Sequence, residues 1–254
     1  MLNKNEGAFP SQILEEMMEN GEILNARKDN VGPASLDLTI SDEAYRIERV
    51  FLPKQKETVR DALRQVEVFP HNLKNLLEKD VTYLILLNEK LKLPREVYGY
   101  CNPKSTTGRN DVHVRVLADK VSRYDTVSPG GYEGELWVAI TPKSFPIRLQ
   151  KDTPLSQLRL FNKDTRFSEE SLRKVFEEHR PLFSLGGVEY KYDDIKIHDN
   201  DGSIILTLDL SQKIVGYECN NSGKVLDFSN GIKAYDPKDF FRPIIKDKDR
   251  VCLK

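Results

Sequence analysis

Three segments of the chain carry apolar residues at the spacing of an amphipathic helix, three or four positions apart. The first is predicted from Ser11, a suitable N-cap, to Gly21, a natural stop. The second is predicted over about 57–66. The third is predicted to begin after Ser168 and to end at Pro181.

Between these helices the apolar pattern has the short period of β-strands. Alternating or continuous apolar runs predict strands at 35–40, 81–87, 113–118, 136–141 and 145–149. Proline and glycine separate the runs and mark turns. Many short strands with such turns favour a mainly β fold, either a compact barrel or a sandwich, decorated by a few helices.

The pattern changes at the third helix, which divides the chain. We predict a first domain over 1–165, a linking helix at 166–180 and a second part over 181–254. A strand-like run at 204–210 echoes the run at 35–40, which indicates a partial, degenerate second copy of the opening strands. Two unrelated strands of ordinary composition could give the same short match. Both a degenerate second copy and a chance similarity therefore stay open.

Composition narrows the class of protein. A length of 254 residues corresponds to one or two domains at ~150 residues each. The chain has 39 Lys and Arg against 40 Asp and Glu, so its net charge of -1 gives no support to nucleic-acid binding or to a polybasic membrane arm. No apolar run approaches the ~20 residues of a membrane span. The first residues show no apolar signal-peptide region, so we expect a cytoplasmic protein without nucleic-acid or membrane partners.

Cysteine and histidine usage argues against a protein-bound zinc ion. Cys101, Cys219 and Cys252 are far apart and odd in number, which fits a reducing compartment and excludes a zinc knuckle. The four histidines are scattered, and no His-x-Glu or Cys-x-x-Cys pair of a zinc deaminase is present. We therefore predict no metal site formed by the protein itself.

The densest polar cluster of the sequence is the segment Lys104–Arg109. It contains two cations, three hydroxyls and a glycine after a strand-like run. Such a turn offers backbone N–H groups, hydroxyls and charged donors to a phosphate. The Gly-x-x-x-x-Gly-Lys spacing of a Walker loop is missing. A solvated turn has the same composition, so the residues alone leave both interpretations open.

Two further segments could line a ligand. Asp125–Glu135 contains glycines that permit close approach of a ligand, and Tyr132 could lie against a sugar or a base. A hairpin turn explains this segment equally, with Asp125 as a turn cap. Gln157 lies in the segment 153–161, and a lone glutamine on a strand would normally face solvent. It becomes a candidate base reader only if the other features converge on it.

The order of these motifs resembles that of the dCTP deaminase/dUTPase superfamily, in particular the long tandem-domain dCTP deaminases of some bacteria. The resemblance covers about 8–165 strongly and about 180–250 weakly. Four segments resemble, in order, the first family motif, the phosphate-and-base motif, the third motif and the motif that closes over the nucleotide: Pro33–Leu38, Lys104–Arg109, Gly131–Leu136 and Ser156–Phe161.

The resemblance implies a dUTPase-like distorted β-barrel that assembles as a homotrimer with active sites at subunit interfaces. It implies that dCTP is hydrolysed to dUTP and ammonia without zinc, with Mg²⁺ bound mainly by the triphosphate. Ser105 would hold the water or the base edge, and Arg109 would stabilise charge and the triphosphate. Lys104 would attract phosphate. The remaining nucleotide-binding candidates are Thr106, Asp125, Tyr132 and Gln157.

One position departs from the deaminase pattern. The strand after the third motif carries a glutamate general base in the family deaminases, and Ala139 stands at that place here. Alanine cannot move a proton. In the dUTPases this position is apolar and an aspartate of the third motif orients water, for which Asp125 is the candidate. The sequence therefore leaves three functions open: a crippled dCTP deaminase, a dUTP diphosphatase, and a deoxynucleotide-binding regulator without turnover.

Overall fold

The computed structural model describes residues 6–128, 130–196, 203–206, 210–220, 222–231 and 233–246. By their contacts the residues form two units. The first unit comprises Met1–Lys163 and Cys219–Arg242, and the second comprises Asp164–Glu218 and Pro243–Lys254. Among the described residues, no helix is long and apolar enough to cross a membrane.

Strands outnumber helices in the described part of the chain. The helices are α1 (Ser11–Glu19), α2 (Val59–Leu63), α3 (Ser105–Arg109) and α4 (Glu169–His179). The strands are β1 (Ile23–Leu24), β2 (Val31–Gly32), β3 (Ser35–Ile47), β4 (Val68–His71), β5 (Thr82–Lys92), β6 (Tyr98–Pro103), β7 (Val112–Ala118), β8 (Thr126–Val127), β9 (Glu133–Pro142), β10 (Ile147–Arg148), β11 (Pro154–Phe161), β12 (Ile214–Cys219), β13 (Leu226–Asp227) and β14 (Phe241–Ile245).

One large sheet organises the first unit. Its strand order is β7-β9-β5-β3-β11-β6-β8, with β1 added to β5 and both β2 and β4 added to β3. The strand pairs of this sheet are antiparallel. The sheet curls into a nearly closed barrel, so the predicted mainly β, barrel-like architecture with a few helices is confirmed.

The predicted helices and strands are found close to their predicted places, but Ser11 is the first residue of α1 and not its N-cap, which is Pro10. The second helix is shorter than predicted, and its N-terminus is fixed by a capping box between Thr58 and Asp61. Ser168 caps α4 by accepting a hydrogen bond from Ser171 N at 3.2 Å, as predicted. The strand predicted at 145–149 is reduced to β10.

Strand β9 is buried on both of its faces. Leu136, Val138 and Ile140 belong to the main core inside the barrel. Trp137 and Ala139 point to the opposite face and belong to a second apolar cluster. That cluster is covered by α2, whose apolar side packs against Trp137, and by residues before it in the chain. The alternation that the sequence predicts for this strand is therefore confirmed.

The segment Cys219–Arg242 belongs by its contacts to the first unit. Strand β13 pairs in parallel with β10, and Phe240 and Phe241 contact the ring of Phe145 edge-on at 5.0 and 5.4 Å. Part of the predicted run at 204–210 lies outside the described residues. The division into domains at 165/166 and the partial second copy stay predictions.

The buried side chain of Glu89 lies beside an irregularity in the pairing of β3 with β5. Glu89 is completely buried, and its two oxygens accept hydrogen bonds from Thr39 N at 2.9 Å and Thr39 Oγ1 at 2.7 Å. The pairing register of β3 with β5 shifts between Ile40 and Ala44 beside this contact. Burial raises the pKa of the Glu89 carboxyl, although the bonds from Thr39 act against that shift.

We predict that Glu89 makes the stability of the fold depend on pH. Because the folded chain holds the Glu89 proton more tightly than the unfolded chain, stability falls as pH rises from about 4.3 through the raised pKa. Glu89→Gln cannot ionise, so its free energy of unfolding should vary less over this pH window. Urea unfolding at a series of pH values measures the difference, with the exposed Glu133→Gln as control. Identical pH slopes for wild type and Glu89→Gln would contradict the prediction.

Candidate functional site

The predicted phosphate turn folds as the short helix α3, directly after β6. Lys104 precedes the helix in an extended conformation, and its backbone N–H donates to Leu155 O at 3.0 Å. The buried Thr107 hydroxyl donates to the same carbonyl oxygen at 3.2 Å. These two bonds attach the turn to β11. The side chains that remain exposed are those of Ser105, Thr106 and Arg109.

Asp37 joins two of the predicted site residues. It lies opposite Gln157 in the pairing of β3 with β11, and Gln157 Nε2 donates to Asp37 Oδ1 at 3.1 Å. Lys104 forms an ion pair with Asp37 Oδ2. The Lys104 and Asp37 side chains are only 21% and 19% exposed, so the pair is partly shielded from water. We call Asp37, Lys104 and Gln157 the Asp37 cluster.

Arg109 lies at the end of α3 and is exposed. Within the described ranges it forms no ion pair. A guanidinium group presents a planar fork of N–H donors that fits phosphate oxygens. The α3 turn therefore offers an uncompensated cation and two hydroxyls beside the Asp37 cluster.

Asp125 lies in the turn before β8 with a left-handed backbone, φ 55°. Its Oδ1 accepts from Val116 N at 2.7 Å, and its Oδ2 pairs with Arg115 Nε at 2.8 Å. Burial raises the pKa of Asp125, partly opposed by the hydrogen bond from Val116 and the charge of Arg115. These contacts tie the turn of Asp125 to strand β7, and a nucleotide role for Asp125 stays a prediction.

Tyr132 is buried and lies against the barrel core. Its hydroxyl accepts a hydrogen bond from Asp119 N at 2.9 Å and donates to Glu135 O. The first bond ties the third motif to the end of β7, and the second lies within the motif. The structure therefore gives Tyr132 a supporting role, and no feature of its surroundings supports the predicted contact with a sugar or base.

Ala139 is 6% exposed and packs beside Trp137. In the pairing of β7 with β9, its partner across the strands is Arg115. The Trp137 Nε1 atom is buried and has no hydrogen-bond partner among the described residues. A carboxylate at position 139 would project from the strand face that carries Arg115 and the indole N–H.

Arg115 and Asp37 are polar residues of the site region that the sequence reasoning did not single out. Arg115 contacts Asp125, lies opposite Ala139, and places its guanidinium 5.3 Å from the centre of the Tyr124 ring. The sequence signal that could have identified Arg115 is its place between two apolar residues on a predicted strand. Asp37 lies within the first motif, Pro33–Leu38, where it alternates with buried leucines in the same way.

Comparison with known proteins identifies the family. The model of the 2'-deoxycytidine 5'-triphosphate deaminase N-terminal domain matches residues 5–164. The chain belongs to the dCTP deaminase family. A crystal structure of 2'-deoxycytidine 5'-triphosphate deaminase from Agrobacterium tumefaciens matches with a TM-score of 0.81 and 27% sequence identity. The match covers 96% of this chain and 70% of that chain. A search of curated proteins finds no match.

Membership of the dCTP deaminase family confirms the resemblance on which the motifs were assigned, together with the fold that it implies. The matched range 5–164 contains α3, the Asp37 cluster and Ala139. The individual roles of these residues remain to be tested.

We predict that Asp37 restrains Lys104 electrostatically. In Asp37→Asn the ammonium group loses its carboxylate partner, so its charge becomes available to an anion. Affinity for inorganic triphosphate should then increase by roughly three- to tenfold, a range that corresponds to about 0.7–1.4 kcal/mol. Isothermal titration calorimetry measures the change, with Asp29→Asn as an exposed control. A weaker affinity would show instead that Asp37 positions Lys104 for binding.

Proposed function

We propose that this protein is a dCTP deaminase-type enzyme that binds a pyrimidine deoxynucleoside triphosphate at α3 and converts dCTP only slowly to dUTP and ammonia. The observation that carries the proposal is Asp37, which binds both Lys104 and Gln157. The phosphate turn and the candidate base reader therefore meet at one place. This is the condition under which Gln157 becomes a candidate for reading the base.

The side chains of α3 suit the phosphates of a nucleotide, and that of Gln157 suits the base. Arg109 has a free guanidinium fork for phosphate oxygens, and the hydroxyls of Ser105 and Thr106 are exposed beside it. Gln157 uses one N–H for Asp37, which leaves its other N–H and its carbonyl oxygen for a base edge. This combination supports a ligand with both phosphates and a hydrogen-bonding base.

Magnesium would enter with the triphosphate, as part of the substrate. Among the described residues, no group of three or more His, Cys, Asp or Glu side chains could hold a metal ion. Mg²⁺ commonly takes its ligands from substrate phosphates and water, with few from protein. The donor set of this chain fits that arrangement, with Lys104 and Arg109 left to neutralise the remaining phosphate charge.

Deamination requires a proton acceptor that position 139 does not supply. The water oxygen bonds to C4 of the cytosine as the water gives up one proton, and N3 takes up a proton with the displaced electron pair. The C4–N bond then breaks as the amine gains a proton and leaves as ammonia, while the oxygen on C4 loses its remaining proton and becomes the carbonyl. Ser105 would hold the water or the base edge, and Arg109 would stabilise developing charge. Ala139 lies at the family's general-base position, so this step should be slow.

A dUTP diphosphatase is the alternative that Asp125 favours. Its carboxylate is half-buried, and burial raises its pKa, which suits a group that orients and deprotonates water. Both of its oxygens nevertheless hold partners, Val116 N and Arg115 Nε. A deoxynucleotide-binding regulator without turnover is the third candidate. It shares the binding residues and differs only in the absence of product.

We further propose a cytoplasmic homotrimer whose nucleotide sites are shared between subunits. The exposed ring of Tyr100 beside the Gln157 strand supports this assembly. Tyr100 is 43% exposed on β6, and its ring lies 6.0 Å from that of Phe161 on β11. Aromatic side chains of this kind are enriched at the centres of protein interfaces.

We predict that Arg109→Ala weakens triphosphate binding by roughly 1.5–3 kcal/mol, the range for a charged hydrogen bond. Titration calorimetry with Mg²⁺ and either dCTP or dUTP measures the loss. Arg49→Ala removes the same charge from an exposed position outside the site and serves as the control. Unchanged affinity in Arg109→Ala would remove α3 from the nucleotide site.

We predict that Ala139→Glu raises ammonia release from dCTP by at least ~100-fold, because general-base catalysis contributes about 10²–10⁴-fold. Arg115 and the free Trp137 Nε1–H offer partners that would orient the new carboxylate. Ala139→Gln has the same size but cannot accept the proton, so it should show no gain. A lower melting temperature of Ala139→Glu without any gain in activity would show that Ala139 is only a packing residue.

A further inference from the structure

Two adjoining cavities form a cleft on the first unit that shares no residue with α3 or the Asp37 cluster. The larger has a volume of about 920 Å³ and the smaller about 660 Å³. The cleft lies between the end of β4, with the residues that follow it, and the segment 148–151. The two cavities share three lining residues, His71, Lys74 and Arg148. A cleft of this size is typical of sites for small molecules.

The cleft is strongly cationic although the chain as a whole carries a net charge of -1. Two acidic side chains line it, Asp42 and Glu78, so positive charges exceed negative ones by three. Its five cationic side chains are Arg46, Lys74, Lys79, Arg148 and Lys151. A concave surface lined by one sign of charge concentrates counter-ions, so this cleft attracts anions.

Most of this positive charge is not neutralised within the described residues. Arg46, Lys74 and Lys79 form no ion pair with any of them. Lys151 contacts Asp42 only at 3.7 Å, with both side chains largely exposed. Exposed pairs of this kind contribute little to stability, so the cations are available to a ligand.

His71 forms part of the wall that the two cavities share. Its ring lies 4.6 Å from the ring of Tyr83 and is held by that contact. The His71 Nε2 atom is buried and has no hydrogen-bond partner among the described residues. Buried polar atoms without partners are uncommon in proteins and often mark the place of an ordered water or a ligand.

We propose that this cleft is a second anion site, which binds a phosphate group through Lys74 and Arg148, separately from the nucleotide site at α3. The phosphate can belong to a nucleotide or to a free polyphosphate, since both present the same oxygens. Arg148 supplies a planar fork for two phosphate oxygens, and Lys74 supplies a point charge at the boundary of the two cavities.

The C-terminal part of the first unit supplies an internal competitor for this site. Asp227 lies opposite Arg148 in the parallel pairing of β10 with β13, and its Oδ2 lies 3.4 Å from Arg148 Nη1. A bound phosphate would compete with this carboxylate for the guanidinium group. Removing the charge of Asp227 should therefore strengthen phosphate binding.

The test uses the full chain with Arg109→Ala as background, so that binding at α3 is already weakened. Inorganic triphosphate is titrated by calorimetry into this variant and into two derivatives. Lys74→Ala/Arg148→Ala should weaken binding about tenfold or more. Lys56→Ala/Arg49→Ala removes the same charges outside the cleft and should leave the affinity unchanged. Asp227→Asn should increase the affinity, which a misfolded protein would not do.

The outcomes separate this proposal from the proposed function. If Arg109→Ala alone abolishes all triphosphate binding, or if both charge-removing pairs weaken it equally, the second site does not exist. If triphosphate binding is instead insensitive to Arg109→Ala, the proposed binding at α3 is contradicted, whereas the proposed binding in the cleft is not. Repeating the titration with dCTP distinguishes the two ligand sources, since only a nucleotide site gains affinity from the base and sugar.

Discussion

The burial of β9 on both faces is the constraint on which the rest of the structure depends. Because side chains alternate along a strand, Leu136, Val138 and Ile140 fill the barrel while Trp137 and Ala139 fill the cluster under α2. A shift by one residue would exchange the two sets. The pairing register of β9 with β7 then places Ala139 opposite Arg115.

Charged side chains around this strand, Arg60 and Asp119 among them, already hold partners within the protein. Arg60 spans Glu43 and Glu135 and lies 5.1 Å from the centre of the Trp137 ring. Asp119 accepts from Val59 N at 2.8 Å and so anchors the start of α2. At α3, by contrast, the Arg109 side chain and the hydroxyls of Ser105 and Thr106 are exposed. Under the proposed function, this exposure leaves them available to an anionic substrate.

Sequence periodicity was sufficient for α1, α4, the main parts of strands β3, β5, β7 and β9 and the two faces of β9, because local spacing determines them. The order of the four motifs was sufficient to predict the family. The sequence did not reveal Asp37 and Arg115 as contacts, since only strand register brings Asp37 to Gln157 and Arg115 to Ala139. Nor did the sequence reveal that the Tyr132 hydroxyl contacts two backbone groups, Asp119 N and Glu135 O; a nucleotide contact of Tyr132 stays a prediction.

The most direct test of the account is a product assay on the purified wild-type protein with Mg²⁺ and either dCTP or dUTP, following ammonia and pyrophosphate together. The account predicts saturable binding of dCTP, ammonia release from dCTP that is slow, and no pyrophosphate from either nucleotide. Rapid ammonia release would contradict it, because a residue other than 139 would have to be the base. Pyrophosphate release from dUTP would contradict it in favour of a diphosphatase built on Asp125.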